Sequence, residues 1–85
     1  MVKTKDQING QICENKIQEL LNQKCRIVLP LKKGADFICI DKNRRISFIE
    51  AKYCKSNLTS YQRRVKKIVE RFGFNYKILR CPCPI

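Results

Sequence analysis

Apolar positions along residues 1–85 fall into two helical rhythms and four short runs. Ile8, Ile12, Ile17, Leu20 and Leu21 recur near helical spacing behind Thr4-Lys5-Asp6-Gln7, a capping-box pattern, and predict a first helix. Gly10 weakens its first turns by up to about 1 kcal/mol. Cys25 to Leu29 is a short apolar strand closed by Pro30, and Lys32-Lys33-Gly34 is a loop. Phe37-Ile38-Cys39-Ile40 and Ile46-Ser47-Phe48-Ile49 are two more strands around Lys42-Asn43-Arg44. Tyr61, Val65, Ile68, Val69 and Phe72 form a second helical stripe, which Gly73 stops as a C-terminal cap. Asn75 to Arg80 reads as a last strand before a Cys-Pro tail. The order is helix, three strands, helix, strand. The middle pair is an antiparallel hairpin, and the closing strand–helix–strand unit implies a right-handed crossover between parallel strands. The expected class is therefore α/β, with a mixed sheet flanked by helices.

Length makes this one domain, with a core from about 8 to 80 and a tail at 81–85. Nineteen lysines and arginines against seven acids give +12, which points to a polyanionic partner, nucleic acid above all. No run approaches the ~18 apolar residues of a membrane span and no leader peptide is visible, so an intracellular, cytoplasmic protein is expected. Six cysteines stand at 13, 25, 39, 54, 81 and 83 without paired zinc spacing, and there is no histidine to complete a Cys-His site. Buried thiols are the first expectation, disulfides from Cys81 and Cys83 the second, zinc a distant third.

One feature strains this picture. Asp36 heads one apolar run, while Glu50 and Lys52 sit deep inside another. Buried charges are costly unless paired or bound to a metal. A hairpin centred on Asn43 with an odd-numbered loop opposes residues summing to 86, pairing Asp36 with Glu50, Ile38 with Phe48 and Ile40 with Ile46. Strand alternation then sends Asp36, Glu50 and Lys52 to the same face. A two-residue turn would separate them, but neither Lys42-Asn43 nor Asn43-Arg44 carries the glycine such turns favour. Two adjacent carboxylates repel unless a proton or cation intervenes, and oxygen ligands suit Mg²⁺ or Mn²⁺. With a lysine close by, this set fits phosphodiester hydrolysis.

Gly34-Ala35-Asp36, then Glu50-Ala51-Lys52, on this element order resembles the PD-(D/E)XK nuclease superfamily. Within it, the chain is most similar to virus-type replication-repair nuclease domains and archaeal Holliday junction resolvases. The stretch from Phe48 to Arg80, with Leu58-Thr59 and Gln62 entering the second helix, carries the likeness to the former. The resemblance implies a restriction-endonuclease-like core and a DNA endonuclease, selective for branched or flapped DNA and acting as a homodimer in a viral or archaeal setting. Asp36 and Glu50 would bind Mg²⁺ or Mn²⁺, joined by the Ala51 carbonyl and by Glu14 from the first helix. Lys52 would orient or activate water, and Gln62 would stand beside the site, although Thr59-Ser60-Tyr61-Gln62 also spells a capping box. Ala35 stands where the family usually has proline.

Lys42, Arg44 and Arg45 at the hairpin tip, with Arg63, Arg64 and Lys67 on the second helix, are the expected phosphate contacts. Lys66 and Arg71 belong to the same basic surround. Tyr53 and Tyr61 are candidates to stack on a splayed base, with Tyr61 expected in the core. Two rivals stand beside the nuclease: a non-catalytic nucleic-acid-binding module on the same fold, and a structural protein in which the acids and Lys52 form a salt bridge.

Overall fold

The structure is a computed structural model describing residues 4–83; Met1 to Lys3 and the last two residues of the tail, Pro84 and Ile85, lie outside the described residues. Helix α1 (Lys5–Lys24) leads to strands β1 (Ile27–Pro30), β2 (Phe37–Ile40) and β3 (Ile46–Tyr53), then helix α2 (Ser60–Arg71) and strand β4 (Asn75–Cys81). One sheet runs in the order β1-β2-β3-β4. Its first three strands are antiparallel, and β4 lies parallel to β3. The element order and mixed sheet match the expectation; β1 starts two residues later, and β4 extends to Cys81.

Alternation along the strands divides the core in two. Phe37, Cys39, Ile49 and Cys81 pack with Cys13, Ile17 and Leu21 of α1. On the opposite face Tyr76 and Phe48 pack with Val65 and Val69 of α2 and with Ala35. The apolar stripes are only half used. Ile8, Ile12 and Leu20 of α1 are exposed, as are Tyr61 and Ile68 of α2 and its C-cap Phe72, so Tyr61 is not a core residue. On α1 the buried line is Cys13, Ile17 and Leu21, four residues apart, because Cys13 is tied to the sheet.

That tie is a disulfide to Cys81, and the other cysteines pair as Cys25–Cys39 and Cys54–Cys83. No cysteine is free, which corrects the expectation of buried thiols. The bonded cysteines are 68, 14 and 29 residues apart, and no linear spacing rule reveals such pairings.

Both helices start with capping boxes, Thr4 with Gln7 and Thr59 with Gln62. Gly73, at φ 87°, closes α2, its N–H bonded to the Glu70 carbonyl and the Phe74 N–H to that of Val69. The hairpin loop has three residues. The Asp41 N–H bonds the Arg45 carbonyl, Arg44 takes a left-handed φ of 63°, and Asp41 Oδ1 accepts from the N–H groups of Asn43 and Arg45. The odd loop sets the register, so Ile38 faces Phe48 and Ile40 faces Ile46 as expected.

Gly34 prepares the entry to β2. Its φ is 84°, and a Cβ there would lie 3.0 Å from Val65 Cγ2. The Tyr76 hydroxyl donates to its carbonyl at 2.6 Å. Gly34→Ala is expected to lower stability by ~1–3 kcal/mol through backbone strain and contact with α2. An unchanged denaturant midpoint would refute that assignment.

Candidate active site

Asp36 immediately precedes β2, and its backbone and side chain both reach β3. Its N–H bonds the Ile49 carbonyl at 2.9 Å, and its Oδ2 accepts from the Ala51 N–H at 2.7 Å. In an extended strand the N–H and C=O of one residue point to the same side. The Ala51 carbonyl therefore shares the side on which Asp36 lies. β3 outruns β2 here, so no strand residue competes for these groups.

Glu50, one residue earlier on β3, is 4% exposed. Gln62 Nε2 donates to its Oε1 at 2.7 Å, and Lys52 Nζ stands 3.7 Å from the same oxygen. Gln62 uses its whole carboxamide at once. Its Oε1 accepts from the Thr59 N–H at 2.9 Å while its amide holds Glu50. Capping and site contact coexist, where the sequence presents them as alternatives.

Burial first, and the Asp36 charge second, push Glu50 up to about 7; Lys52 opposes this, and Glu14 adds to it. Glu14 is itself raised, by burial and then by Asp36. Its helix position is held by the neighbouring Cys13, whose Sγ lies 3.5 Å from the Lys52 carbonyl, a contact rather than a hydrogen bond since the sulfur is in a disulfide. Tyr76 is pushed up to about 12 by burial and then by Glu50 and Asp36. It is the residue that sequence reasoning missed. Its only signal is a tyrosine within an otherwise core-directed strand position, and its bond to Gly34 becomes visible only once β4 is placed.

Among the described residues, no group of three or more His, Cys, Asp or Glu is drawn together as a metal cluster. The donor chemistry nonetheless fits a hard divalent cation. Asp36 and Glu50 each commit one oxygen, Oδ2 and Oε1, to the protein contacts above, and the Ala51 carbonyl is directed to the Asp36 side. Among the described residues, Lys52 at 3.7 Å from Glu50 is the one cationic side chain that makes an ion pair with these carboxylates.

The expected phosphate contacts lie elsewhere. Lys42, Arg44 and Arg45 are exposed at the hairpin tip, the opposite end of β2–β3 from the carboxylates. Five strand residues from Arg45 to Glu50 span roughly 17 Å. Arg63, Arg64 and Lys67 line an open cavity with Ser60 on α2. The Tyr53 hydroxyl accepts from Asn9 Nδ2 at 3.4 Å and is turned to α1. No described helix is long and apolar enough to cross a membrane.

No protein-family model matches this chain, and no curated protein or solved structure matches it.

The proton balance of Glu50 gives a stability prediction. Its folded value of about 7 lies above the ordinary 4.5. Between these values the native state keeps a proton that the unfolded chain releases. The stability Glu50 contributes is full below pH 4.5 and lost as pH rises through about 7, by ~3 kcal/mol. Metal-free Glu50→Gln should melt with the wild type near pH 4.5 and above it at pH 7.5. A variant less stable at both would contradict this sign.

Proposed function

We propose that this protein is a metal-dependent nuclease hydrolysing DNA phosphodiester bonds on a restriction-endonuclease-like core. The observation that carries the reading is the convergence of Asp36, Glu50, Lys52 and Gln62 on one end of β3, with the first carboxylate bonded to the Ala51 N–H and the second to Gln62. Net charge of +12 supports a polyanionic substrate.

Asp36, Glu50 and the Ala51 carbonyl would hold Mg²⁺ or Mn²⁺, with Glu14 close enough to add its charge. The ion, when bound, supplies positive charge to a phosphoryl oxygen and makes a neighbouring water more acidic. Lys52, with its side chain 13% exposed, keeps an ammonium beside Glu50, where it stabilises negative charge and orients water. Gln62 fixes the Glu50 rotamer from a capped helix end, so the carboxylate is positioned before substrate arrives. Tyr76 holds the Gly34 turn from which Asp36 departs.

Resolvase-like selectivity for branched or flapped DNA and a homodimer belong to the same reading. Exposed Ile27 and Leu29 on the free edge strand β1 supply apolar surface that supports a second copy. A second reading has one observation behind it, the Lys52–Glu50 pair at 3.7 Å as a purely structural bridge. Labelled linear, flapped and four-way DNA with Mg²⁺, Mn²⁺ or chelator tests the nuclease. Cleavage that requires the divalent ion is expected; intact DNA under every condition would reject it.

A further inference from the structure

We propose that the solvent side of α2 is a binding track for single-stranded nucleic acid, distinct from the carboxylate cluster on the helix's inner side. This deepens the nucleic-acid reading above by assigning a second surface and the form of nucleic acid it takes.

The helix separates its functions by angle. Gln62 turns inward to Glu50 at 2.7 Å, and Val69 is buried on the same side. Successive residues advance by about 100°. Arg63, Arg64 and Lys67 therefore lie about 100–200° round the helix from Gln62, and with Ser60 they line an open cavity of about 300 Å³. Among the described residues none of these three cations has a carboxylate partner; the ion pairs are Lys52–Glu50 and Lys66–Glu70. The cavity is thus an uncompensated cationic surface.

Beside it, along one flank of α2, Tyr61 is 53% exposed and Phe72 is 74% exposed. They are eleven residues apart, or about 16 Å along the helix. A second copy of this helix would set Arg63, Arg64 and Lys67 near their own like charges, so charge complementarity favours an anionic occupant. That occupant must also offer flat apolar faces to two aromatic rings. Single-stranded nucleic acid does both, since its bases stack on aromatic side chains while its phosphates follow a basic groove. A duplex meets only half of this, because its base faces are already stacked. Ser60 and Arg63 lie within two residues of Gln62 in sequence, so the track starts at the same end of α2 as the side chain that holds Glu50, on another side of the helix.

The test is fluorescence anisotropy of a labelled oligo-dT and a blunt duplex, with chelator present so that nothing is cut. The proteins are wild type, Arg63→Ala/Arg64→Ala/Lys67→Ala and Tyr61→Ala/Phe72→Ala. The basic triple variant should lose at least ~30-fold in oligo-dT affinity. Its slope of log affinity against log salt should be shallower by about 2, the value for three single-strand phosphates. The aromatic variant should lose about tenfold or more for oligo-dT, with its salt slope and duplex affinity unchanged.

Oligo-dT binding by either variant at the wild-type level would overturn the proposal. So would an equal loss for duplex in the aromatic variant. A wild-type dimer that the aromatic variant splits, with oligo-dT affinity intact, would assign the face to a second copy instead. All five side chains are exposed, and unchanged melting curves are expected; Phe72→Ser alone repeats the test should the double variant melt early. Retained oligo-dT binding in a wild type that cuts nothing would reject the nuclease reading and leave this surface standing.

Discussion

Asp36→Asn and Glu50→Gln should each abolish cleavage and divalent-metal binding together while leaving a folded protein. Each carboxylate already has its own contact, Asp36 Oδ2 to the Ala51 N–H and Glu50 Oε1 to Gln62. The amide replacements keep an oxygen for those bonds and remove only the negative charge. Lys52→Ala should separate the two functions, retaining metal and DNA binding while slowing turnover by ~100-fold or more, the scale of losing one electrostatic stabiliser. DNA affinity of the carboxylate variants should rise, since fewer negative charges face the phosphate. A structural salt bridge predicts the reverse pattern: removing either partner strands a buried charge and costs ~3–5 kcal/mol. Melting curves read beside cleavage rates distinguish these cases. Three folded, inactive proteins support the site, and three unfolded ones make it a structural pair.

Reduction should unfold the protein at 37 °C. The Cys13–Cys81 bond spans 68 residues, and in the chain-entropy model a loop of that length stabilises by about 4 kcal/mol. The other two bonds close separations of 14 and 29. A small domain has only ~5–10 kcal/mol in total. Circular dichroism melts with and without reductant check this, and an unchanged midpoint under full reduction would contradict it. Such bonds are at home in oxidising compartments or in the cells of hyperthermophiles.

Much of this site is readable in the linear sequence. The register around Asn43 follows from the absence of a glycine turn, and it places Ile38 against Phe48 as the structure does. The capping box around Thr59 was equally legible, because it depends on residues three apart. The rest depends on contacts between distant elements. That Gln62 caps α2 and holds Glu50 simultaneously requires the helix to be docked first. The disulfides overrode the α1 stripe, drawing Cys13 inward and leaving Ile8 and Ile12 exposed. Periodicity also overstated the burial of α2, since Tyr61, Ile68 and Phe72 obey helical spacing yet stay exposed.

The claim that Asp36 and Glu50 were brought together for a cation is tested most directly by titrating Mg²⁺ or Mn²⁺ into metal-free protein at pH 7.5 and following its melting temperature. Burial and Asp36 hold Glu50 up at about 7, so a divalent ion there should relieve a strained charge pair. The account predicts a saturable rise for the wild type and for Lys52→Ala, and none for Asp36→Asn or Glu50→Gln. A wild type whose melting temperature ignores both metals, or a Glu50→Gln variant that rises equally, would contradict it.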